Sequence, residues 1–442
     1  MTKTLNIGRL PQNDSTNAWN TILPERQPHG SLRGEVKVDW LVLGAGFAGL
    51  SAARRLAHNR PDEKIVIVEA GQCGENASGR NSGFAIDLPH TTSSNLDELD
   101  GAHRHMNLAR TAIAELGRLV ELHNIDCDWS KDGKFHAAVT EQGSQDMLAP
   151  FARELDALDE PYRWVEHSEL VAQLGTNHFH RAIYTPGCVL MNPAALVRGL
   201  ADSLPDNVTL YENSPVHQIN HANGVAVQTV KGAISAPKMI LAANGFSDQF
   251  GFAQNKFVHL ALAASLTRPL TLDEQRDYGV EKPWGLTPAN GFGGITMRYT
   301  NDHRLLIRQG IRVAMGQIFS PLKTANIAQQ HKRLFDARFP SLRSVTMENS
   351  WVGYICMARN GAPMFGGVAP NVWIAACQNG IGITKGTMGG LLAADLACGQ
   401  DNPLISDMQS LGKPTNLPAR PLVEIGARAT IGWEIWKNRR EA

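Results

Sequence analysis

Residues 38–49 read VDWLVLGAGFAG, and how this stretch is read decides the fold. Residues 38–43 form a short apolar run suited to a buried parallel strand, and Gly44, Gly46 and Gly49 follow at the G-x-G-x-x-G spacing. Residues 50–59 (LSAARRLAHN) have helical character, Pro61 is a breaker, and a second apolar run, 64–68 (KIVIV), ends at Glu69. Strand, glycine turn, helix and strand together predict a dinucleotide-binding unit. Gly44 permits the tight turn, Gly46 lets backbone approach a pyrophosphate, and Gly49 lets the helix pack closely on the strand. The helix start at Phe47 and Ala48 turns its amides and dipole toward the anion. Glu69, followed by Ala70, is placed to accept hydrogen bonds from ribose hydroxyls. Three glycines at this spacing also mark plain turns, so the specificity rests on the strands, helix and acid around them.

Beyond Glu69 the chain enters a loop of small and polar residues, ENASGRNSG (75–83), with almost no capacity to build a core. The whole chain of 442 residues is long enough for two domains, and 42 basic against 42 acidic side chains leave no field to attract nucleic acid. Cys73, Cys127, Cys188, Cys356, Cys377 and Cys398 contain no C-x-x-C pair, as expected of reduced thiols in a cytoplasmic protein without a zinc site. Residues 1–37 are polar, with no apolar signal region, and are expected to form an arm packed on the surface. Residues 360–384 carry no Asp, Glu, Lys, Arg or His but are too rich in Gly, Pro and Asn for a membrane span. The tail segment IGWEIWKNRR (431–440) reads either as a helix capping its own domain or as a peripheral membrane contact.

Further along, 96–123 has helical periodicity and 129–140 reads as a hairpin turning at Asp132-Gly133. Asn192-Pro193 opens a helix, and TLYENSPVHQI (209–219), VAVQTV (225–230) and MILAANG (239–245) read as strands or strand ends. Residues 254–345 turn to apolar strands with basic punctuation, including ITMRYT (295–300) and RLLIRQG (304–310). Residues 371–396 read as strand, glycine turn and helix. There is no internal repeat.

Several motifs fall in one order: Ser78, Gly79, Arg80, Asn81, Ser82 and Gly83 in the loop; the Asn192-Pro193 helix start; Val216; and Ala243, Asn244 and Gly245. DHRLLI (302–307), WVGYI (351–355) with Pro363 and Gly366, and QNGIGITKGT (378–387) complete the series. Over roughly residues 38–400 the chain therefore resembles the D-amino-acid-oxidase-like (DAO) family of FAD-dependent oxidoreductases. Within it, the nearest branch holds glycine oxidase, sarcosine oxidase and gamma-glutamylputrescine oxidase.

The resemblance implies an α/β fold, with a Rossmann-like FAD-binding domain interleaved with an antiparallel-sheet α+β substrate domain. The FAD-binding part is expected at 38–95, 186–253 and 346–400, the substrate part at 96–185 and 254–345, with an arm at 1–37 and a tail at 401–442. It implies noncovalent FAD, a loop 78–83 crossing the pyrophosphate and flavin ring, and a backbone contact of Val216 with adenine. Cys356 and Cys377 lie near flavin segments in sequence without aligning to a covalent attachment site. Amides of Gly380, Ile381, Gly382, Ile383 and Thr384, with the cation of Lys385, are expected to stabilise charge on the reduced flavin.

Arg298 and Arg308 flank Asp302 on adjacent expected strands; either clamps a substrate carboxylate if it faces the flavin, and Arg298 is favoured because the related branch carries an arginine there. Strand arginines also point to solvent. Tyr354 and Tyr299 are candidate hydroxyl donors, Trp284 and Trp351 candidate core residues, and His90 a packing residue. Departures from the branch are Ile355 in place of its carboxylate-binding arginine, Asn360 in place of an aspartate, and Ile381 in place of a turn histidine.

The implied activity is oxidation of small amines or amino acids, with secondary amines such as N-substituted glycines or iminodiacetate-like acids as the expected class. Hydride passes from the α carbon to flavin N5, the imine hydrolyses, and O2 reoxidises the flavin to give H2O2. Two alternatives stand beside this: a dehydrogenase passing electrons to a quinone or carrier protein, and a noncatalytic nucleotide-binding sensor.

Overall fold

The computed structural model describes residues 4–89, 99–221, 224–289, 293–317 and 322–441. Its central strand is Trp40–Leu43, buried throughout and paired in parallel with Ile65–Val68 on one side and Lys238–Leu241 on the other. The complete sheet runs Val208–Tyr211, Ile65–Val68, Trp40–Leu43, Lys238–Leu241, Val372–Ala376, Met364–Ala369, parallel except for its last pair. Unbroken apolar runs such as IVIV belong to strands covered on both faces. On one face Trp40, Val42, Ile65 and Ile67 meet Leu50 and Leu56 of helix Phe47–Asn59, with Leu196 and Ala393 from later helices. On the other, Leu41, Leu43, Val66 and Val68 meet Ile219, Val227 and Ile234 of a five-stranded sheet.

The N-terminal segment departs from its expected place on the surface. Leu5–Asn6 and Gly34–Lys37 form the two edges of that five-stranded sheet, and Trp19 between them is 1% exposed. The isolated tryptophan in a polar stretch was the sequence signal for this burial.

An eight-stranded sheet faces the nucleotide sheet. Its order is Met347–Met357, Val258–Thr267, Leu305–Val313, Thr296–Tyr299, Trp284–Pro288, Lys134–Ala138, Arg181–Thr185, Arg163–Val165. All pairs are antiparallel except Trp284–Pro288 with Lys134–Ala138. The mixed architecture read from the sequence is thus present.

Two local expectations need correction. Residues 129–140 are not a hairpin: Lys134–Ala138 pairs with Arg181–Thr185 and Trp284–Pro288, and the preceding segment makes only the Ser130–Leu190 bridge. Gly133 (φ +67°) instead brings the chain against residue 185, so close that an added Cβ would lie 2.4 Å from the Thr185 carbonyl oxygen. Strand Met347–Met357, expected in the nucleotide part, runs along Val258–Thr267 in the eight-stranded sheet.

Candidate active site

The glycine turn behaves as its spacing predicts. Gly44 has φ +100°, and a Cβ there would lie 2.8 Å from the Ala242 carbonyl oxygen; one on Gly49 would lie 1.7 Å from that of Gly44. No side chain fits at either position. A Cβ on Gly46 would sit 2.5 Å from Ser78 Oγ, so turn and loop are in near contact. The half-buried Glu69 accepts hydrogen bonds from the Ala45 amide (2.8 Å) and the Gly71 amide (3.1 Å), and desolvation of its carboxylate raises its pKa.

A cavity of about 140 Å³ opens along this turn, lined by Gly44, Gly46, Glu69, Ala70, Val216 and residues 243–245. Ile7, Arg9, Leu10, Pro11 and Gln12 form its outer wall, so the N-terminal segment reaches the site as well. Arg9 is held there by an ion pair with Asp248 (2.5 Å) and two hydrogen bonds exchanged with Gln249. Backbone bare of side chains, a helix start and a carboxylate suit a dinucleotide, and the residues present fit one.

The loop 78–83 is pinned from behind by donors brought from elsewhere. Asn17 Nδ2 donates to the Gly79 carbonyl (2.9 Å), Trp19 Nε1 to Asn81 (2.8 Å) and Trp351 Nε1 to Arg80 (3.0 Å). Arg298 donates to the carbonyls of Ser82 (3.1 Å), Gly83 (3.2 Å) and Met191 (2.6 Å). Ser78, Asn81 and Ser82 are left on the cavity side. The buried Arg80 also lines the cavity, but its guanidinium engages Asp14 (2.7 Å) and the carbonyls of Glu75 and Val352.

A second cavity of about 270 Å³ adjoins the first through Gly46, Ser78, Arg80 and Asn244. On the nucleotide side Phe47, Ala48, Gln378, Gly380, Gly382 and Ile383 line it; on the sheet side, Leu262, Ala264, Thr287, Thr296, Arg308 and Ile355. Among the described residues no aspartate or glutamate lines it. Arg308 sits opposite Ala264 and Thr296 in the register. Burial lowers its guanidinium to about 10, which leaves it charged at neutral pH, and no carboxylate pairs with it among the described residues.

Several expected site residues lie elsewhere. Arg298 does not line the cavity; it is 4% exposed and holds the loop's carbonyls. Tyr299 is core, its ring packed edge-on to Tyr278 and its hydroxyl bonded to His303 Nδ1 at 2.8 Å. Lys385 is half-buried in the first turns of helix Gly382–Cys398, behind the cavity wall, and burial lowers its ammonium to about 8. Ile381 packs with Cys188 and Leu190, and Thr384 donates to the Ile86 carbonyl at 3.3 Å. Gly49, Gly79 and Gly83 support the turn and loop from behind. Tyr354 lines both cavities and packs with Val352 and Ala261. Trp351 is core as read, and His90 lies outside the described residues.

Sequence reasoning missed Thr287. Its hydroxyl, on the cavity wall, bonds His136 Nδ1 and Lys134 Nζ at 3.0 Å each. Lys134 is 3% exposed and burial lowers its pKa. A lysine and histidine alternating through the apolar run KFHAA were the available signal.

Comparison with known proteins matches residues 39–396 to the family model "DAO: FAD dependent oxidoreductase". Among curated proteins, a probable oxidoreductase OrdL of Haemophilus influenzae is 26% identical over 413 residues, covering 90% of this chain and 91% of its own. The gamma-glutamylputrescine oxidoreductase of Escherichia coli is 25% identical over 410 residues, covering 89% and 90%. Among solved structures, glycine oxidase from Geobacillus kaustophilus superposes with TM-score 0.69 at 20% identity, covering 83% of this chain and 96% of that one. Iminodiacetate oxidase from Chelativorans superposes with TM-score 0.67 at 19% identity, covering 86% and 100%. The family match spans the six- and eight-stranded sheets and the cavity walls outside the N-terminal segment, and it agrees with the resemblance carried by the sequence motifs: the chain belongs to the DAO family of FAD-dependent oxidoreductases.

Proposed function

We propose that the protein oxidises a small amine or amino acid bearing a carboxylate, with a secondary amine such as an N-substituted glycine as the favoured substrate. The observation that carries this reading is Arg308, a charged guanidinium that, among the described residues, has no carboxylate partner and shares its cavity wall with no acid. Such a site attracts an anion and disfavours a free diamine, whose second ammonium would find no counter-charge. Relatives named for iminodiacetate and for gamma-glutamylputrescine, both carboxylate-bearing amines, agree with it.

In this reading the turn 44–49 and Glu69 would hold the dinucleotide, and the loop 78–83 with residues 380–383 the flavin ring. FAD, once bound, supplies the hydride acceptor. Arg308 fixes the substrate carboxylate through paired N–H donors, which orients the α carbon toward the ring side of the cavity. The amine must shed a proton before hydride can leave. Thr287 Oγ accepts that N–H and passes the proton to His136, while the buried Lys134 fixes the hydroxyl. Leu262, Ala264 and Ile355 keep water from the reacting carbon until the imine forms and hydrolyses.

The test is an anaerobic titration of the FAD-loaded protein with primary and secondary amino acids and polyamines, followed by flavin absorbance and then by admission of air. Bleaching by carboxylate-bearing amines, with recovery and peroxide on aeration, is expected. Bleaching by polyamines alone would overturn the substrate reading, and bleaching without recovery in air would point to the dehydrogenase alternative.

A further inference from the structure

Eight large hydrophobic side chains are exposed among the described residues, and four of them, Leu422, Ile425, Trp433 and Trp436, share the helix Arg420–Lys437. With Ala429 they follow a 3-4-4-3 spacing, one stripe along one face. The two tryptophans stack with ring centroids 5.0 Å apart, and Arg439 lies over Trp436 at 4.8 Å. Both ends of the helix are tied to the body. The Glu441 carboxylate accepts from the amides of Val139 (2.7 Å) and Thr140 (3.0 Å), and the Leu417 amide donates to Asn255 (2.8 Å). The helix thus lies flat, and its inner residues Ile431 and Ile435 pack on Leu262, Ile311, Ile355 and Met357, which also line the larger cavity.

Charge singles out what covers the stripe. Arg420 and Arg428 are paired with the half-buried Glu424 (3.7 and 3.5 Å), Glu434 is half-buried and Glu441 buried, whereas Lys437, Arg439 and Arg440 are exposed at the C-terminal end. The outer face is therefore apolar along its length and cationic at its C-terminal rim. A second copy of the chain would set like charges against like across a paired stripe. An anionic lipid surface presents acyl chains to the stripe and phosphates to the cations, and tryptophan favours the boundary between them.

We propose that the helix Arg420–Lys437 docks the protein in plane on an anionic bilayer surface, through Leu422, Ile425, Trp433 and Trp436 with Lys437, Arg439 and Arg440 at the headgroups. Docking places the substrate cavity one helix thickness, about 10 Å, from the lipid. It holds whichever electron acceptor the enzyme uses.

The test is co-sedimentation of the FAD-loaded protein with phosphatidylcholine vesicles, with and without phosphatidylglycerol. Binding is expected only with the anionic lipid, weakening as salt rises, and W433S/W436S should lose roughly tenfold or more in affinity. The variant's flavin absorbance, unchanged, reports an intact fold. A variant that sediments like the wild type overturns the proposal, as does failure of the wild type to bind either vesicle. A wild-type dimer that the variant converts to monomer also overturns it, assigning the stripe to a second copy.

Discussion

Arg308 and Arg298 stand on neighbouring strands, and register gives them opposite duties. Thr296 and Ala264 flank Arg308 on the cavity side; Arg298 pairs with Gly285 and Leu306 and donates into the loop. Arg308→Met is expected to raise the KM for carboxylate substrates by roughly 10- to 100-fold, with Arg308→Lys recovering part, since a hydrogen bond to a charged group contributes about 1.5–3 kcal/mol. Steady-state kinetics on one amino acid and its amide check this, because the amide should lose little. Thr287→Val should lower kcat/KM by roughly tenfold or more while leaving flavin content intact, the lower range for removing a proton-transfer partner. His178 offers a stability test. Burial and Arg338 lower it from 6.5 to about 4, so the folded chain keeps it neutral while the unfolded chain protonates it. Its contribution is complete above pH about 6.5 and is lost as pH falls toward 4, on the order of 1 kcal/mol after allowing for its partial exposure. Denaturant midpoints across that range, compared with His178→Gln, should differ in slope. Gly44, Gly49 and Glu69 were legible in the sequence because their roles are set within one strand–turn–helix unit. The choice between Arg298 and Arg308 was not, because ITMR and LLIR look alike until the strands are in register.

At the scale of elements, the loop 78–83 and the N-terminal segment act as one unit. Asn17, Trp19 and Asp14 hold the loop, while residues 7 and 9–12 wall the smaller cavity along the glycine turn. Deleting residues 1–12 is expected to weaken FAD binding by roughly tenfold or more, as the loss of several buried contacts requires, while circular dichroism stays near wild type. Flavin fluorescence titration of the apoprotein measures it, and an unchanged Kd would contradict the assignment. The strands and the helix 193–202 were readable from local period and from the Asn192 cap, whose side chain accepts from the amides of Ala194 and Ala195. The segment 129–140 and the N-terminal arm were not, since the partner strands of both lie more than 40 residues away in the chain.

Across the whole molecule the chain passes back and forth between the six- and eight-stranded sheets: 40–68 in one, 134–185 in the other, 208–211 and 238–241 back, 258–357 out, 364–376 back. Neither sheet can be completed without the other's segments. Unfolding should therefore appear as one calorimetric transition, and FAD at a thousand times its Kd should raise stability by about 4 kcal/mol. Two separated transitions, only one of them shifted by FAD, would show that the sheets melt independently.

The two cavities are walled by residues from 7 to 386, with the helix 420–437 behind them. During translation, a nascent chain has no complete pocket until the strand and turn around 372–383 have left the ribosome. Until then the bare glycine turn and the Arg308 cavity are half-built, and cofactor capture falls to the last moments of synthesis or after release.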